Sequence, residues 1–339
     1  MQTFSITTAT GQSTIYVGEQ LQNLGRYLPH QRLVVLTDDN VRRLYESDFP
    51  RGAAVVSVGV GEAAKSLANV ERIYEALLAG EADRSTFVVG IGGGVACDIA
   101  GFAASTYMRG MRFGFVATSL LAQVDASVGG KNGVNFRGYK NLVGTFSQPE
   151  FVICDPQVLR TLPRGEVLCG MAEVVKHALI RDADLLNFLE QNAEAILELQ
   201  PAAVERIVAD SVAIKSAVVS ADEKESGLRR ILNFGHTFGH ALEPLLHISH
   251  GEAVSIGMVL AAGLSVQRGL LEPEAAERIR DLLQRLGLPV QCPVPPSELM
   301  DAVRKDKKRE SDAVHFVLLR GLGDAVIQPI PLQELEDLL

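Results

Sequence analysis

The chain has 339 residues, of which 47% are hydrophobic, and its formal net charge at pH 7 is −9. This length exceeds what one ordinary hydrophobic core accommodates, so two globular domains are expected. The negative charge argues against nucleic acids and anionic membranes as partners, because both repel an acidic surface.

Short apolar runs alternate with helical patterns in the first half of the chain. The pattern predicts strands at 32–37, 53–58, 86–91 and 112–117, and helices at 66–79 and 99–105. This alternation predicts a parallel sheet wound with helices. In such sheets ligands bind beyond the carboxyl ends of the strands, where the motifs of this half of the chain lie.

The second half of the chain is predominantly helical. Its character changes after Asp155–Pro156, and Leu162–Gly165 has the composition of a junction. Apolar periodicity then predicts helices at about 166–198, 201–220, 235–247, 252–269 and 273–286, another after Pro296, and a strand pair at 315–319 and 325–330.

The cysteines and the apolar segments of the sequence indicate in which cellular compartment the protein is expected. The four cysteines are scattered without a Cys-x-x-Cys pair, which is typical of a reducing environment. The N-terminus lacks signal-peptide features, and the longest uncharged apolar run, 253–266, is too short to span a bilayer. A soluble, cytoplasmic protein without a membrane partner is expected.

Four of the seven histidines lie between His236 and His250. With Glu173 available upstream, two histidines and a carboxylate form a complete protein ligand set for a catalytic Zn²⁺ that keeps one coordination position open. The alternative is that these are core or helix-surface histidines. Their density beside several glycines favours a metal site.

Two glycine-containing motifs indicate anion binding. Gly92, Gly93 and Gly94 follow a predicted strand and precede a predicted helix, where backbone N–H groups and the helix dipole favour phosphate. A tight turn would require one such glycine but not three. Glycines beside Lys131 and Lys140 indicate a further anion site, although two ordinary surface turns are the alternative.

Six segments together resemble the 3-dehydroquinate synthases, in order and at family-like spacing from about Asp38 to Lys308. They are Gly92–Asp98, Thr118–Asp125 with Gly129–Lys131, Lys140–Gly144, Met171–Lys176, Leu232–Ala241 and His250–Val254. The resemblance implies an α/β N-terminal Rossmann-like domain at 1–160 and an all-α C-terminal domain at 161–339. It also implies an active site in the cleft between them.

The resemblance implies a role for each matching residue. Zn²⁺ or Co²⁺ would be bound by Glu173, His236 and His250. NAD would contact Asp38, Asn40, Glu62, Lys65, Gly92, Gly93, Gly94, Asp98, Thr118, Ser119, Lys140 and Thr161. Substrate would meet Arg109, Asp125, Lys131, Asn141, Lys176, Lys215, Arg229, Asn233, His240 and Lys307, while Glu225 and His240 occupy the positions of proton acceptors.

The implied reaction converts 3-deoxy-D-arabino-heptulosonate 7-phosphate to 3-dehydroquinate and phosphate, in the shikimate pathway of aromatic amino acid biosynthesis. It combines transient oxidation by NAD, phosphate elimination, reduction and intramolecular aldol closure. The substrate's carboxylate and phosphate account for a cationic site in an acidic protein, since arginine grips a planar carboxylate and lysine contacts phosphate as a point charge. A homodimer without nucleic acid is expected.

Three other functions fit parts of the pattern. A related sugar-phosphate cyclase making 2-deoxy-scyllo-inosose or a valiolone would share the fold, NAD and metal, but Lys140–Asn141, Lys176–His177 and 306–308 favour dehydroquinate. A glycerol dehydrogenase-like enzyme would release NADH stoichiometrically and would typically carry Asp instead of Glu173. A non-catalytic NAD-binding regulator would not need the complete ligand set.

Overall fold

The computed structural model describes residues 1–29, 32–306 and 313–337. The chain forms two compact units: unit 1 comprises Met1–Leu162 and Val204–Lys224, and unit 2 comprises Pro163–Ala203 and Glu225–Leu339. The predicted boundary after residue 160 lies near the first junction, but it places residues 204–224 in the second domain, whereas they pack with unit 1. The division into 1–160 and 161–339 stays a prediction.

Unit 1 is built on a mostly parallel sheet. Its elements up to residue 162 are β1 (Gln2–Thr8), β2 (Gly11–Val17), β3 (Leu33–Thr37), α1 (Asp39–Tyr45), β4 (Ala54–Ser57), α2 (Leu67–Ala79), β5 (Phe87–Gly92), α3 (Gly94–Thr106), β6 (Phe113–Ala117), β7 (Lys131–Phe136), β8 (Tyr139–Phe146) and β9 (Phe151–Cys154). The sheet has the order β1-β2-β9-β6-β5-β3-β4, in which only β1 runs antiparallel to its neighbour. The predicted parallel sheet is therefore confirmed, with β3 to β6 at the predicted positions.

The sequence of β5 explains its central place in the sheet. All six of its residues are buried, as expected for a strand covered by helices on both faces. Phe87 stacks on Phe151 of β9 at 5.9 Å between ring centroids. Two helices of this unit begin at residues whose own side chains cap them. The Asp38 carboxylate accepts hydrogen bonds from backbone N–H groups in the first turn of α1, and the Ser66 side chain accepts one in the first turn of α2.

The segment around Lys131 and Lys140 is an antiparallel hairpin of β7 and β8, which the interpretation as two surface turns missed. Phe136 pairs with Tyr139 across a two-residue loop, Arg137–Gly138, in which both residues have positive φ. Such a loop suits the right-handed twist of a hairpin. Gly133 and Gly144 face each other closely enough that a Cβ on Gly144 would lie 2.5 Å from the Asn132 carbonyl oxygen.

Unit 2 is helical apart from the predicted strand pair near its end. The elements from residue 163 onward are α4 (Arg164–Arg181), α5 (Ala183–Leu197), α6 (Pro201–Ala221), α7 (His236–Leu246), α8 (His250–Gln267), α9 (Pro273–Arg285), α10 (Pro296–Asp306), β10 (Ala313–Gly321), β11 (Asp324–Pro331) and α11 (Leu332–Asp337). Most of α6 belongs to unit 1, where Glu205 lies 3.3 Å from the N-terminal amino group. The uncharged run 253–266 lies within the largely buried α8, so the helix predicted at 252–269 is confirmed.

The single helix predicted over 166–198 is wrong. The chain breaks at Asp182, which has extended backbone angles and separates α4 from α5. Its carboxylate accepts hydrogen bonds from the backbone N–H groups of Asp184 and Leu185. Aspartate is a strong N-cap, so a new helix starts where periodicity alone predicts continuation.

Among the described residues, no helix is long and apolar enough to cross a membrane.

Candidate metal centre and anion-binding residues

Three helices of unit 2 bring the predicted metal ligands together. Glu173 lies within α4, while His236 and His250 are the first residues of α7 and α8. Gly235, which precedes α7, has φ +78, and Gly257 of α8 packs so closely that a Cβ there would lie 2.0 Å from the Gly235 carbonyl oxygen. The start of α7 is therefore seated directly on α8.

A second close approach places His250 beside Glu173. A Cβ on Gly251 would lie 2.4 Å from Cys169 Cα, so only glycine allows the first turn of α8 to lie this close to α4. Ser249 and Glu252 form a capping box that anchors the same turn. Local sequence and glycine packing together determine where the His250 backbone lies.

The ligand atoms have the spacing that a tetrahedral metal site requires. Glu173 Oε1 lies 3.2 Å from His250 Nε2 and 3.5 Å from His236 Nε2, and the three ligand atoms all lie within 4.8 Å of one another. Metal–ligand bonds of about 2.0–2.1 Å in a tetrahedron imply ligand separations of about 3.3 Å. The two distances to Glu173 are close to that value, so the two histidines and the carboxylate are compatible with a zinc or cobalt ion.

Opposing charges set the protonation of this cluster. Burial disfavours ionised Glu173, but the charge of Lys176 and the hydrogen bond from His250 hold its pKa well below the ordinary value. Burial and the Lys176 charge hold the pKa of His236 well below its ordinary value. The carboxylate and neutral imidazole are the forms that bind a metal cation.

His250 has a different environment at its second nitrogen. Burial opposes its protonation, but hydrogen bonds to Glu173 and Glu243 outweigh burial and raise the pKa of His250 to about 9. Metal binding at Nε2 would therefore displace a proton. Glu243 was not among the predicted site residues, although it follows His236 by seven residues and so shares its helical face.

Lys176 contacts the other oxygen of Glu173, Oε2, and is almost fully buried. One carboxylate thus faces the two histidines with one oxygen and a lysine with the other. His240, in contrast, is exposed, and its ring centroid lies 5.2 Å from that of His236. His240 lies one turn from His236 but does not belong to the group of converging ligand atoms, which consists of Glu173, His236 and His250.

Other predicted substrate residues of unit 2 lie just before α7. Asn233 Nδ2 donates to Glu225 Oε1, and Glu225 adopts a left-handed backbone conformation with φ +61. Arg229 is buried in the short 3-10 helix Leu228–Asn233. Lys307 lies outside the described residues, so its predicted role stays a prediction.

In unit 1 the predicted NAD contacts converge at one edge of the sheet. Asp38 follows β3, the glycines 92–94 connect the last residue of β5 to the first residue of α3, and Thr118 with Ser119 follow β6. These three strands are neighbours in the sheet. Cβ atoms built on Gly92 and Gly93 would lie 3.3 Å from Asp38 Oδ2 and from Ser119 Oγ, respectively. This edge offers backbone N–H groups at the start of α3, as an anion site requires.

Lys65 and Asp98 form a mostly buried ion pair next to this edge. Burial raises the pKa of Asp98 to about 6, although the charge and hydrogen bond of Lys65 oppose the shift. Taken alone, the Gly61–Lys65 segment indicates a solvated helix start, and that interpretation is wrong for Lys65. Lys65 is buried because it forms this ion pair with Asp98 of α3, and Asp98 lies 33 positions later in the chain.

Asn135 links two of the predicted contacts and was itself missed. Its Nδ2 donates to Glu62 Oε1 at 2.7 Å, and its Oδ1 accepts from the Asn141 backbone N–H at 2.9 Å. Asn141 has φ +54, a conformation that asparagine tolerates better than most residues. The hairpin thereby presents Asn141 in a defined position.

Three of the remaining predicted residues, Lys215, Asp125 and Thr161, have hydrogen-bond partners within unit 1. Lys215 is buried and donates to Asp125 Oδ1 at 2.5 Å and to its carbonyl oxygen at 2.6 Å. The Thr161 hydroxyl lies 2.7 Å from the Tyr45 hydroxyl. Exposed positions are occupied by Asn40, Arg109, Lys131 and Lys140.

Comparisons with known proteins agree with this geometry. Residues 54–169 match the family described as 3-dehydroquinate synthase N-terminal, and residues 170–309 match 3-dehydroquinate synthase C-terminal. The chain is 45% identical to the 3-dehydroquinate synthase of Symbiobacterium thermophilum over 334 residues, covering 93% of each chain.

Two solved structures share the whole fold. One is 2-epi-5-epi-valiolone synthase from Streptomyces hygroscopicus with NAD⁺ and Zn²⁺ bound, with a TM-score of 0.88, 31% identity, and coverage of 100% of this chain and 98% of the other. The other is 2-deoxy-scyllo-inosose synthase complexed with carbaglucose-6-phosphate, NAD⁺ and Co²⁺, with a TM-score of 0.89, 28% identity, and coverage of 99% and 98%. Together with the family matches along residues 54–309, these likenesses mean that the chain belongs to the 3-dehydroquinate synthase family.

Proposed function

We propose that this protein is a 3-dehydroquinate synthase, a lyase that converts 3-deoxy-D-arabino-heptulosonate 7-phosphate to 3-dehydroquinate and phosphate. The observation that carries the proposal is the ligand set of Glu173, His236 and His250, with Lys176 buried against the same carboxylate. A glycerol dehydrogenase-like enzyme would typically have aspartate at the first ligand position.

NAD and a zinc or cobalt ion are the proposed cofactors. Bound NAD supplies a hydride acceptor and donor, and the bound metal supplies a Lewis acid beside a substrate hydroxyl. The metal would be held by Glu173, His236 and His250, whose spacing supports this role. NAD would lie at the edge of the unit 1 sheet, where Asp38, the glycine turn and Ser119 converge.

The remaining predicted residues are proposed to bind and orient the substrate. Buried Arg229 suits a planar carboxylate, because its guanidinium can donate two parallel hydrogen bonds. Lysines 131, 176 and 215 supply positive charge for phosphate and hydroxyl groups. His240 and Glu225 are the proposed proton carriers, His240 at an exposed position and Glu225 fixed by Asn233.

A homodimer is also proposed. The β7–β8 hairpin carries exposed apolar side chains at Phe136, Tyr139, Leu142 and Phe146, and such a concentration is typical of a protein interface. The size of the particle in solution, measured by light scattering, tests this proposal. The predicted cytoplasmic location stays a prediction.

The proposed activity is tested by mixing purified protein, catalytic NAD⁺ and Zn²⁺ or Co²⁺ with the heptulosonate phosphate. We expect phosphate and dehydroquinate to form in equal amounts, without NADH absorbance growing in step. Chelation should abolish turnover, and added metal should restore it.

Two results would contradict the proposed activity. NADH accumulating in proportion to product would indicate a simple dehydrogenase. A lack of turnover with the heptulosonate phosphate, together with turnover of glucose 6-phosphate, would indicate the cyclase class of the inosose synthase.

A further inference from the structure

The two histidine rings of the candidate metal centre use their two nitrogens in the same way. Each directs Nε2 toward Glu173 Oε1, at 3.5 Å for His236 and 3.2 Å for His250. Each directs Nδ1 toward a different oxygen, which is the Phe234 carbonyl at 3.2 Å for His236 and the Glu243 carboxylate at 3.5 Å for His250. One ring is therefore held by backbone and the other by a side chain.

We propose that Glu243 is a positioning residue that holds His250 as a metal ligand through Nε2. The inference rests on the proposed metal-dependent function and adds a residue to it. A neutral imidazole binds metal through one nitrogen, and the oxygen that accepts from its other nitrogen selects the tautomer and the ring orientation. Glu243 is the acceptor that the structure provides on the far side of His250.

His250 needs such a partner more than His236 does. The side chain of His250 is 28% exposed, whereas that of His236 is 11% exposed, so packing restrains the His250 ring less. The hydrogen bonds of the capping box between Ser249 and Glu252 fix the backbone on either side of His250 and involve no atom of its ring. The orientation of the ring therefore depends on its hydrogen-bond partners.

The location of Glu243 also couples the two ligand-bearing helices. Glu243 lies two turns after His236 on α7, and its carboxylate reaches the first residue of α8. Its side chain is 13% exposed, so the carboxylate interacts with His250 in partial isolation from water. A carboxylate in this position increases the basicity of the ligand and adds negative charge near a cation.

The test measures metal binding without substrate. Metal-free wild type, Glu243→Gln, Glu243→Ala and Glu166→Gln are titrated with Co²⁺, with visible absorption and competition by a chelator as readouts. Glu166 is the matched control, because it is an exposed carboxylate at the start of α4 and its replacement makes the same charge change as Glu243→Gln.

We expect Glu243→Ala to bind Co²⁺ about 10- to 100-fold more weakly, with an altered absorption spectrum. Glu243→Gln should lie between it and wild type, because an amide oxygen still accepts from Nδ1–H but lacks the charge. Glu166→Gln should bind as wild type does. The thermal midpoints of the metal-free proteins show whether each variant folds. If Glu243→Ala does not fold, Glu243→Gln alone tests the inference.

The inference is overturned if folded Glu243 variants bind Co²⁺ with wild-type affinity and spectrum, or if Glu166→Gln weakens binding as much as Glu243→Gln. This outcome is separable from the proposed reaction. Dehydroquinate formation by the wild type tests the reaction, whereas Co²⁺ affinity of the variants tests the positioning.

Discussion

At the scale of single residues, the candidate metal centre brings together three side chains that are far apart in sequence. Glu173 provides the oxygen that both histidines face, and Lys176 contacts its other oxygen. Breaking a buried charged cluster by removing one member leaves the rest uncompensated. Substitutions of the ligands should therefore have larger effects than substitutions of neighbouring polar residues.

His250→Ala should lower metal content and turnover together. It removes one of the three proposed ligands, so the loss of metal affinity should exceed the 10- to 100-fold change typical of an outer-shell partner. Elemental analysis alongside the rate measures both quantities. His315→Ala, at an exposed histidine of β10, is the control, and wild-type metal content in His250→Ala would show that the ligand assignment is wrong.

His240→Ala should keep near-normal metal content and slow turnover by roughly 10²–10⁴-fold, as expected for loss of a general acid or base. The physical reason is that His240 is exposed and absent from the cluster of convergent ligand atoms, although its ring lies edge-on to His236. Bound zinc and rate are measured on the same preparation. If His240→Ala lost zinc while His250→Ala retained it, His240 would be the metal ligand and the assignment of His250 would be wrong.

Asp98→Asn should change how stability depends on pH. Burial raises the pKa of Asp98 from 3.8 to about 6, so the native state retains a proton that the unfolded chain releases near pH 4. This group's contribution to the free energy of unfolding is therefore present at low pH and falls as the pH rises from about 4 to 6. The expected loss is on the order of 2–3 kcal/mol.

Urea unfolding of wild type and Asp98→Asn at pH 5 and pH 8 measures this effect. The stability of wild type relative to the variant should be lower at pH 8 than at pH 5. Asp301→Asn, at an exposed aspartate of α10, provides the control. A difference between wild type and Asp98→Asn that is independent of pH would contradict the shifted pKa.

At the scale of elements, glycines decide how closely the ligand-bearing helices approach. Gly251 allows α8 to contact the backbone of α4, and Gly235 and Gly257 allow the start of α7 to contact α8. These contacts are between backbones, so a side chain cannot be accommodated by a change of rotamer. The geometry of the candidate metal centre is thus a consequence of helix packing.

Gly251→Ala should destabilise the protein by about 1–3 kcal/mol, the usual range for overpacking, and should weaken metal binding as well. The new Cβ would lie 2.4 Å from Cys169 Cα, so α8 must move away from α4 and carry His250 with it. Urea unfolding and Co²⁺ titration measure the two effects.

Gly263→Ala is the matched control on the same helix. A Cβ there meets no atom within 4 Å, so alanine should stabilise the helix by up to about 1 kcal/mol and leave metal affinity unchanged. Equal effects of the two substitutions would mean that packing at Gly251 does not determine the site.

At the scale of the whole molecule, the chain combines two units of different architecture. Unit 1 supplies a parallel sheet with a glycine turn at its carboxyl edge, and unit 2 supplies the convergent histidines. The chain passes between the units more than once, because Val204–Lys224 returns to unit 1. The Lys215–Asp125 pair belongs to this returning helix, which explains how residues 90 positions apart come into contact.

Sequence alone determined the features that depend on neighbouring residues. Alternating apolar runs located β3 to β6, the composition around Leu162–Gly165 located the first junction, and the glycines at 92–94 located the turn after β5. Family motifs also identified Glu173, His236 and His250 as residues that should meet, and their ligand atoms do converge. Such features are predictable because periodicity, capping and turn preferences act over a few positions.

Only the tertiary structure decided the features that depend on distant partners. The burial of Lys65 follows from Asp98, and the assignment of 204–224 to unit 1 follows from packing along α6. Asn135 has no distinguishing local pattern, and the seven-residue spacing places Glu243 on the helical face of His236 without showing that its carboxylate lies beside His250. Their roles arise from contacts between residues that sequence spacing does not bring together, so the folded arrangement of strands and helices was needed to find them.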